Sequence, residues 1–145
     1  MISTFVLFCL GLFYGNFLEY VIHRYVFHKM GRKKGSMWRY HLKGHHVLSR
    51  KQGFIDLTTS SIETTGLTVL IAIHIPIAFV AFPIWAGVTL YALAFNYMHG
   101  YQHKHPEFTQ KYMKWHWDHH MSNPNENFGV VAPWCDYLFG TRKER

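Results

Sequence analysis

Residues 57–99 read LTTSSIETTGLTVLIAIHIPIAFVAFPIWAGVTLYALAFNYMH, a stretch with no lysine or arginine and a single acid, Glu63. Its apolar run is broken once, around Phe82-Pro83. Two membrane spans account for it, one from about Ile62 to Phe79 and one from about Ile84 to Tyr97, with Pro76 and Pro83 near the turn between them. The second is short for a full crossing, so the helix is expected to run on past the membrane to His103. His74 stands alone in this apolar stretch beside Pro76 and is expected to be a packed or interfacial histidine rather than a ligand.

A third span is expected at the start of the chain. Met1 to Leu18 carry no charged side chain, and no Lys or Arg comes before Arg24, so the basic region of a cleaved signal peptide is missing. Glu19 lies near the end of this span, where an intramembrane acid is a functional candidate, and one helical turn before His23. All 15 basic residues fall in two blocks, Arg24 to Lys51 and Lys104 to Arg145. Three crossings with the N-terminus outside put both blocks on one side, and the positive-inside rule makes that side cytoplasmic. The same rule explains the net charge of +7 more simply than nucleic-acid binding does. At 145 residues the chain has the length of one domain, residues 1–145, expected to be an all-α integral membrane protein with a helical cytoplasmic cap.

Histidine is the compositional outlier, with 12 in the chain. Cys9 and Cys135 form no Cys-x-x-Cys pair, so a metal site here is built from imidazole. The basic blocks contain His23-x4-His28, His41-x3-His45-His46, His99-x3-His103 at the membrane edge, and His116-x2-His119-His120. On an α-helix His99 and His103 share a face, while His119 and His120 fall about 60° to one side and 40° to the other of His116 and so reach two different ions. His23 and His28 diverge by about 140° on a straight helix, which suits either two different ions or the two flanks of one helix end. Hydropathy and basic residues alone therefore gather ten histidines at one membrane face, more than the four ligands of zinc or the six of octahedral iron. A closed structural zinc site has no use for ten. Two irons activating O2 against an unactivated C–H bond of a lipid do. Glu19, Asp118 and Asp136 are candidates for carboxylates that orient the other ring nitrogen of a ligand, or else for ordinary surface or cap residues.

The four histidine blocks in this order, followed by Asn127-Phe128-Gly129-Val130 and Trp134-Cys135-Asp136-Tyr137-Leu138-Phe139-Gly140-Thr141, resemble the fatty acid hydroxylase/sterol desaturase superfamily over nearly the whole chain. The resemblance implies integral-membrane di-iron oxygenases, with O2 as co-substrate and the ligand role on His23, His28, His41, His45, His46, His99, His103, His116, His119 and His120. Zinc is expected to replace iron after overexpression, because metal supply and geometry, not affinity alone, select the ion. Many members have four spans and some carry a fused cytochrome b5-like domain. Against that pattern one helix is expected to be missing before Met1, the first span is expected to pair with another protomer, and electrons are expected from a separate cytochrome b5- or ferredoxin-like protein. His105, beside Pro106, has no counterpart in the ligand pattern and is expected near the ligands or at the surface. A carotenoid-ring hydroxylase is the alternative enzyme, and a non-catalytic membrane metal-binding protein the alternative outside enzymes; the Asn-Phe-Gly and Asp-Tyr-Leu-Phe-Gly-Thr tail favours a fatty acid hydroxylase.

Overall fold

A computed structural model describes residues 3–58 and 61–145, and the described residues form helices and loops without strands. Met1 and Ile2, at the head of the expected first span, lie outside the described residues. Helix α1 (Thr4–Val21) starts at Ser3, whose hydroxyl accepts the Val6 amide at 3.2 Å and so satisfies one of the open N–H groups of the first turn. It passes without interruption into a π-helical segment, Ile22–Met30. A second π-helical turn, His41–His46, leads into α2 (Val47–Lys51). Then come α3 (Ser61–Ile73), α4 (Ile75–Lys104), α5 (Pro106–Tyr112), α6 (Lys114–Met121) and α7 (Trp134–Leu138).

The helix carrying His103 does run on to Lys104, but the turn sits earlier than the sequence suggests. Helix α3 ends at Ile73, only His74 separates it from α4, and the break near Phe82-Pro83 is a kink inside α4 with Ala81 at φ −152°, ψ 63°. Pro76 is the cause of the early turn: it cannot donate to the preceding turn but fits the first positions of a new helix. Pro83 then kinks that helix because its ring takes the place of an amide hydrogen. As a result two helices among the described residues, Thr4–Met30 and Ile75–Lys104, are long and apolar enough to cross a membrane, and the span expected from about Ile62 to Phe79 is replaced by the shorter apolar helix Glu63–Ile73.

Helices α1 and α4 pack at close range through glycine. A Cβ on Gly11 would strike the backbone of Ile84, one on Gly15 the ring of Tyr91, and one on Gly87 the backbone of α1 at Phe8. Gly11-x3-Gly15 is the small-residue spacing that lets apolar helices approach where no water drives them together. The polarity of the molecule is inverted along these helices. Phe79 and Val80 are 85% and 86% exposed, whereas Asn16 and Glu19 are buried. Asn16 bonds Tyr91 at 2.6 Å and the Ala132 carbonyl at 2.8 Å, and its carbonyl oxygen accepts the Cys135 amide at 3.0 Å. The C-terminal segment is thus tied to the first helix, and from there it reaches the histidines.

Candidate metal centre

Nine buried or half-buried histidines converge in two groups: His23, His28, His41, His46 and His119, and beside them His45, His99, His103 and His120, with the ligand atoms within each group all within 4.8 Å of one another. The two π-helical segments explain the first group. A π-helix closes i→i+5 bonds, such as the Gly31 amide to the Val26 carbonyl at 3.2 Å, and so aligns residues five apart. His23 with His28, and His41 with His46, therefore face the same point, while His45 turns to the other group. Of the readings open for His23 and His28, the one that points them at two different ions is overturned: the π-helical register puts both in one group. The second group rests on α-helical spacing, which aligns His99 with His103 on α4. On α6, His119 joins one group and His120 the other. His46 and His120 stack at 4.1 Å between ring centroids, so the two groups adjoin. His116 belongs to neither group, but packs on the second, 5.1 Å from His103 and 4.7 Å from His120 between ring centroids.

The ring nitrogens on the outer side are fixed. His23 Nδ1 donates to the Phe128 carbonyl at 2.5 Å, His119 Nδ1 to the Glu126 carbonyl at 2.6 Å, and His103 Nδ1 to the Phe54 carbonyl at 2.7 Å. His45 Nδ1 lies 2.7 Å from Asp56 Oδ2, His116 Nδ1 2.5 Å from Gln102 Oε1, and His41 Nδ1 3.4 Å from Glu63 Oε1. Such bonds place the ring proton on Nδ1 and leave the Nε2 lone pair facing inward.

That tautomer makes the inner distances informative. His23 Nε2 and His41 Nε2 are 3.1 Å apart, His119 Nε2 and His28 Nε2 3.0 Å, and His99 Nε2 and His45 Nε2 3.1 Å. His23 and His41 both spend their proton outward, so their facing lone pairs repel unless a cation lies between them. Nitrogen ligands at about 2.1 Å from one ion stand about 3.0–3.4 Å apart in octahedral or tetrahedral geometry. The Nε2 atoms of His103 and His116 and both ring nitrogens of His120 are buried without hydrogen-bond partners, which fits nitrogen ligands. Burial, reinforced by neighbouring imidazoles, holds His41, His46, His116 and His120 well below the ordinary histidine range, and burial with the His23 imidazole does the same for His119. They remain neutral, the form that ligates metal. The residues therefore fit two nitrogen-ligated ions.

The carboxylates proposed from sequence sit elsewhere. Glu19 accepts the Val130 amide and, at 2.5 Å, the Tyr91 hydroxyl. Asp136 accepts the amides of Phe128 and Gly129 at 2.8 and 2.7 Å and the Thr141 hydroxyl at 2.7 Å. Both hold the loop whose Phe128 carbonyl fixes His23, one bond further from the ions than expected. Asp118 pairs with Lys114 at 2.8 Å. The carboxylates that do reach ring nitrogens are Asp56 and Glu63. Asp56 has no histidine at helical spacing, and Gln102, beside His103, is a neutral amide of a type that rarely marks a metal site, so neither carried a signal in the sequence. Burial acts to raise Asp56, but hydrogen bonds from His45 and Thr58 outweigh it and hold the carboxyl below its usual range.

The tail motif acquires a physical reading as well. Asn127 adopts a left-handed conformation, φ 56°, and its side chain clamps Lys143 N and O at 2.8 and 3.0 Å. A Cβ on Gly129 would collide with the Ala132 carbonyl and press on Asp136. Phe54, also left-handed at φ 79° and wholly buried, stacks on His103 at 4.3 Å between centroids. Cys9 and Cys135 are free thiols, and burial pushes Cys135 up to about 11. His74 bonds the Leu70 carbonyl at 2.7 Å and the Tyr14 hydroxyl at 3.1 Å, remote from both groups, and His105 is exposed at the start of α5.

An apolar cavity of about 270 Å³ lies between α1, α3 and α4. Leu18, Ile22, Val26, Leu67 and Leu70 line it, and its wall includes His23 and Glu63. It leads from the faces of the apolar helices to the five-histidine group.

Two long apolar helices carrying paired buried histidine groups are consistent with a metal site beside a membrane, and the sequence comparisons identify the family. Residues 8–141 match the fatty acid hydroxylase family, to which the chain belongs. It is 30% identical over 148 residues to the ceramide very long chain fatty acid hydroxylase of Saccharomyces cerevisiae, covering 93% of this chain and 37% of that protein. To the dihydroceramide fatty acyl 2-hydroxylase of Arabidopsis thaliana it is 28% identical over 153 residues, covering 91% of this chain and 58% of that protein. The chain thus spans less than two thirds of the length of these curated relatives. No solved structure matches it.

Proposed function

We propose that the chain is a single membrane domain, residues 1–145, that hydroxylates the acyl chain of a membrane lipid with O2 at a pair of iron ions. The observation that carries this reading is the meeting of two largely buried histidine groups with an apolar cavity whose wall includes His23. Membership of the fatty acid hydroxylase family and the two hydroxylase relatives support the substrate class, with ceramide-type acyl chains first, and favour it over a carotenoid ring. The balance is R–H + O2 + 2e⁻ + 2H⁺ → R–OH + H2O, the electrons coming from a separate carrier. Iron, when bound, supplies the redox chemistry that inserts one oxygen atom. The protein supplies the rest. His23, His28, His41, His46 and His119 hold one ion, His45, His99, His103 and His120 the other, and His116 completes the second as the tenth ligand. The Nδ1 contacts orient the rings of His23, His41, His45, His103, His116 and His119, and the aliphatic wall admits an acyl chain while excluding water. We place the histidines on the cytoplasmic face of a multi-pass protein, because the basic residues all flank them.

Lipid profiling of cells with and without the gene, with His119→Ala as control, tests this function. A hydroxylated acyl lipid that appears only with the wild-type protein is expected. No change in any lipid, with iron present in the purified protein, supports instead a metal-binding protein without turnover.

A further inference from the structure

The histidine groups are approached from a second side, and that approach differs chemically from the apolar cavity. A recess with a volume of about 450 Å³ has His46 in its wall and is otherwise lined by Arg32, Arg39, Lys43, Arg50 and neighbouring small or apolar residues. All four cations are exposed, while His46 is 3% exposed and its Nδ1 has no hydrogen-bond partner. Lys33 and Lys34 add exposed positive charge on the adjoining loop, and no acid lines the recess. His46 also makes the shortest of the ring contacts between the two groups. Its centroid lies 4.9 Å from those of His28 and His41 and 4.8 Å from that of His119 in its own group, and it stacks on His120 of the other.

We propose that this basic recess is the docking face for a small acidic one-electron carrier, whose electrons would reach the ions that the two groups would hold by way of the His46 imidazole. The inference rests on the hydroxylase reading, whose balance needs two electrons that the chain itself does not hold; the carrier is oxidised in two one-electron steps as O2 is reduced and R–H becomes R–OH. A ring of exposed cations around a recess attracts a partner of opposite charge and speeds encounter. The separation of approaches fits that role: lipid enters along aliphatic walls past His23, and the carrier meets the polar side at His46.

The test uses the full chain in nanodiscs and, as probe, the acidic soluble haem domain of a cytochrome b5. Binding is measured first, with zinc-loaded protein, so that no turnover is needed. The double variant Arg39→Glu/Lys43→Glu is expected to weaken binding about tenfold and to flatten its salt dependence, whereas Lys111→Glu, elsewhere on the surface, leaves both unchanged. Iron-loaded protein is then assayed with the probe and with dithionite. The double variant should show a raised KM for the probe and unchanged product with dithionite. Equal probe binding in wild type and double variant overturns the docking face. Equal loss of product with either reductant also overturns it, because the cations then serve the lipid substrate or the fold. If wild-type protein makes no product even with dithionite while still binding the probe through Arg39 and Lys43, the hydroxylase reading has failed and the docking face has not.

Discussion

The two histidine groups solve the same problem with different backbones. The five-member group takes two pairs from π-helical segments, where residues five apart align, and the four-member group takes its pair from the α-helical His99-x3-His103. Their outer bonds differ too. In the five-member group His23 and His119 lean on backbone carbonyls of a loop, and His41 lies 3.4 Å from the Glu63 carboxylate. In the four-member group His45 has the close Asp56 carboxylate at 2.7 Å. The lesson is that similar histidine groups can be built on two helix types: a π-turn, a rare element, brings together side chains five apart that no α-helix would.

Removing one member from each group gives the largest effect. His119→Ala and His120→Ala should each reduce product about 100-fold or more while leaving expression intact, and each should lower the metal content by about one ion, from different groups. Product measured in whole cells with protein level controlled checks the first, and elemental analysis the second. Full activity in either variant would break the pairing of α6 with two ions.

The outer bonds give a smaller contrast. Asp56→Asn removes the close anionic partner of His45 and should weaken metal retention about tenfold or more, whereas Glu63→Gln, acting at a longer distance, should do less. Metal release followed with a chromogenic chelator ranks the two, and the reverse order would contradict the comparison.

Without metal, the depressed imidazoles set a pH response. Their folded-state affinity for protons lies below the ordinary value of 6.5, so the unfolded chain takes up protons first as the pH falls. Metal-free protein should therefore be most stable above pH 6.5 and lose stability below it, by up to about 1.4 kcal/mol per pH unit for each buried neutral imidazole. Thermal melts between pH 7.5 and 5.5 measure the slope, and a flat response would mean that the rings are already open to solvent. Smallest of all, His74→Ala should keep most activity, costing about 1 kcal/mol of stability for its bonds to Tyr14 and Leu70.

Much of this centre was legible in the sequence, because ligands recur at short helical spacings and membrane helices exclude lysine and arginine. His99 with His103, and the divergence of His119 from His120, follow from α-helical geometry alone. The sharing of one site by His23 and His28 did not, since a π-helix is set by the packing around it and has no sequence mark as plain as an apolar period. The hairpin turn was misplaced for a similar reason: Pro76 and Pro83 both break a helix, and only packing decides which becomes the turn and which the kink. Asp56, Gln102 and the carbonyls of Phe54, Glu126 and Phe128 escaped detection because long-range folding brings them to the rings, and a backbone carbonyl carries no residue signature.

The central claim is that the histidines form two ion positions and not one. Counting metal in the purified full chain after anaerobic iron loading tests it most directly. About two ions per chain are expected, falling to about one in both His119→Ala and His120→Ala; one ion or none in the wild-type protein would contradict the account.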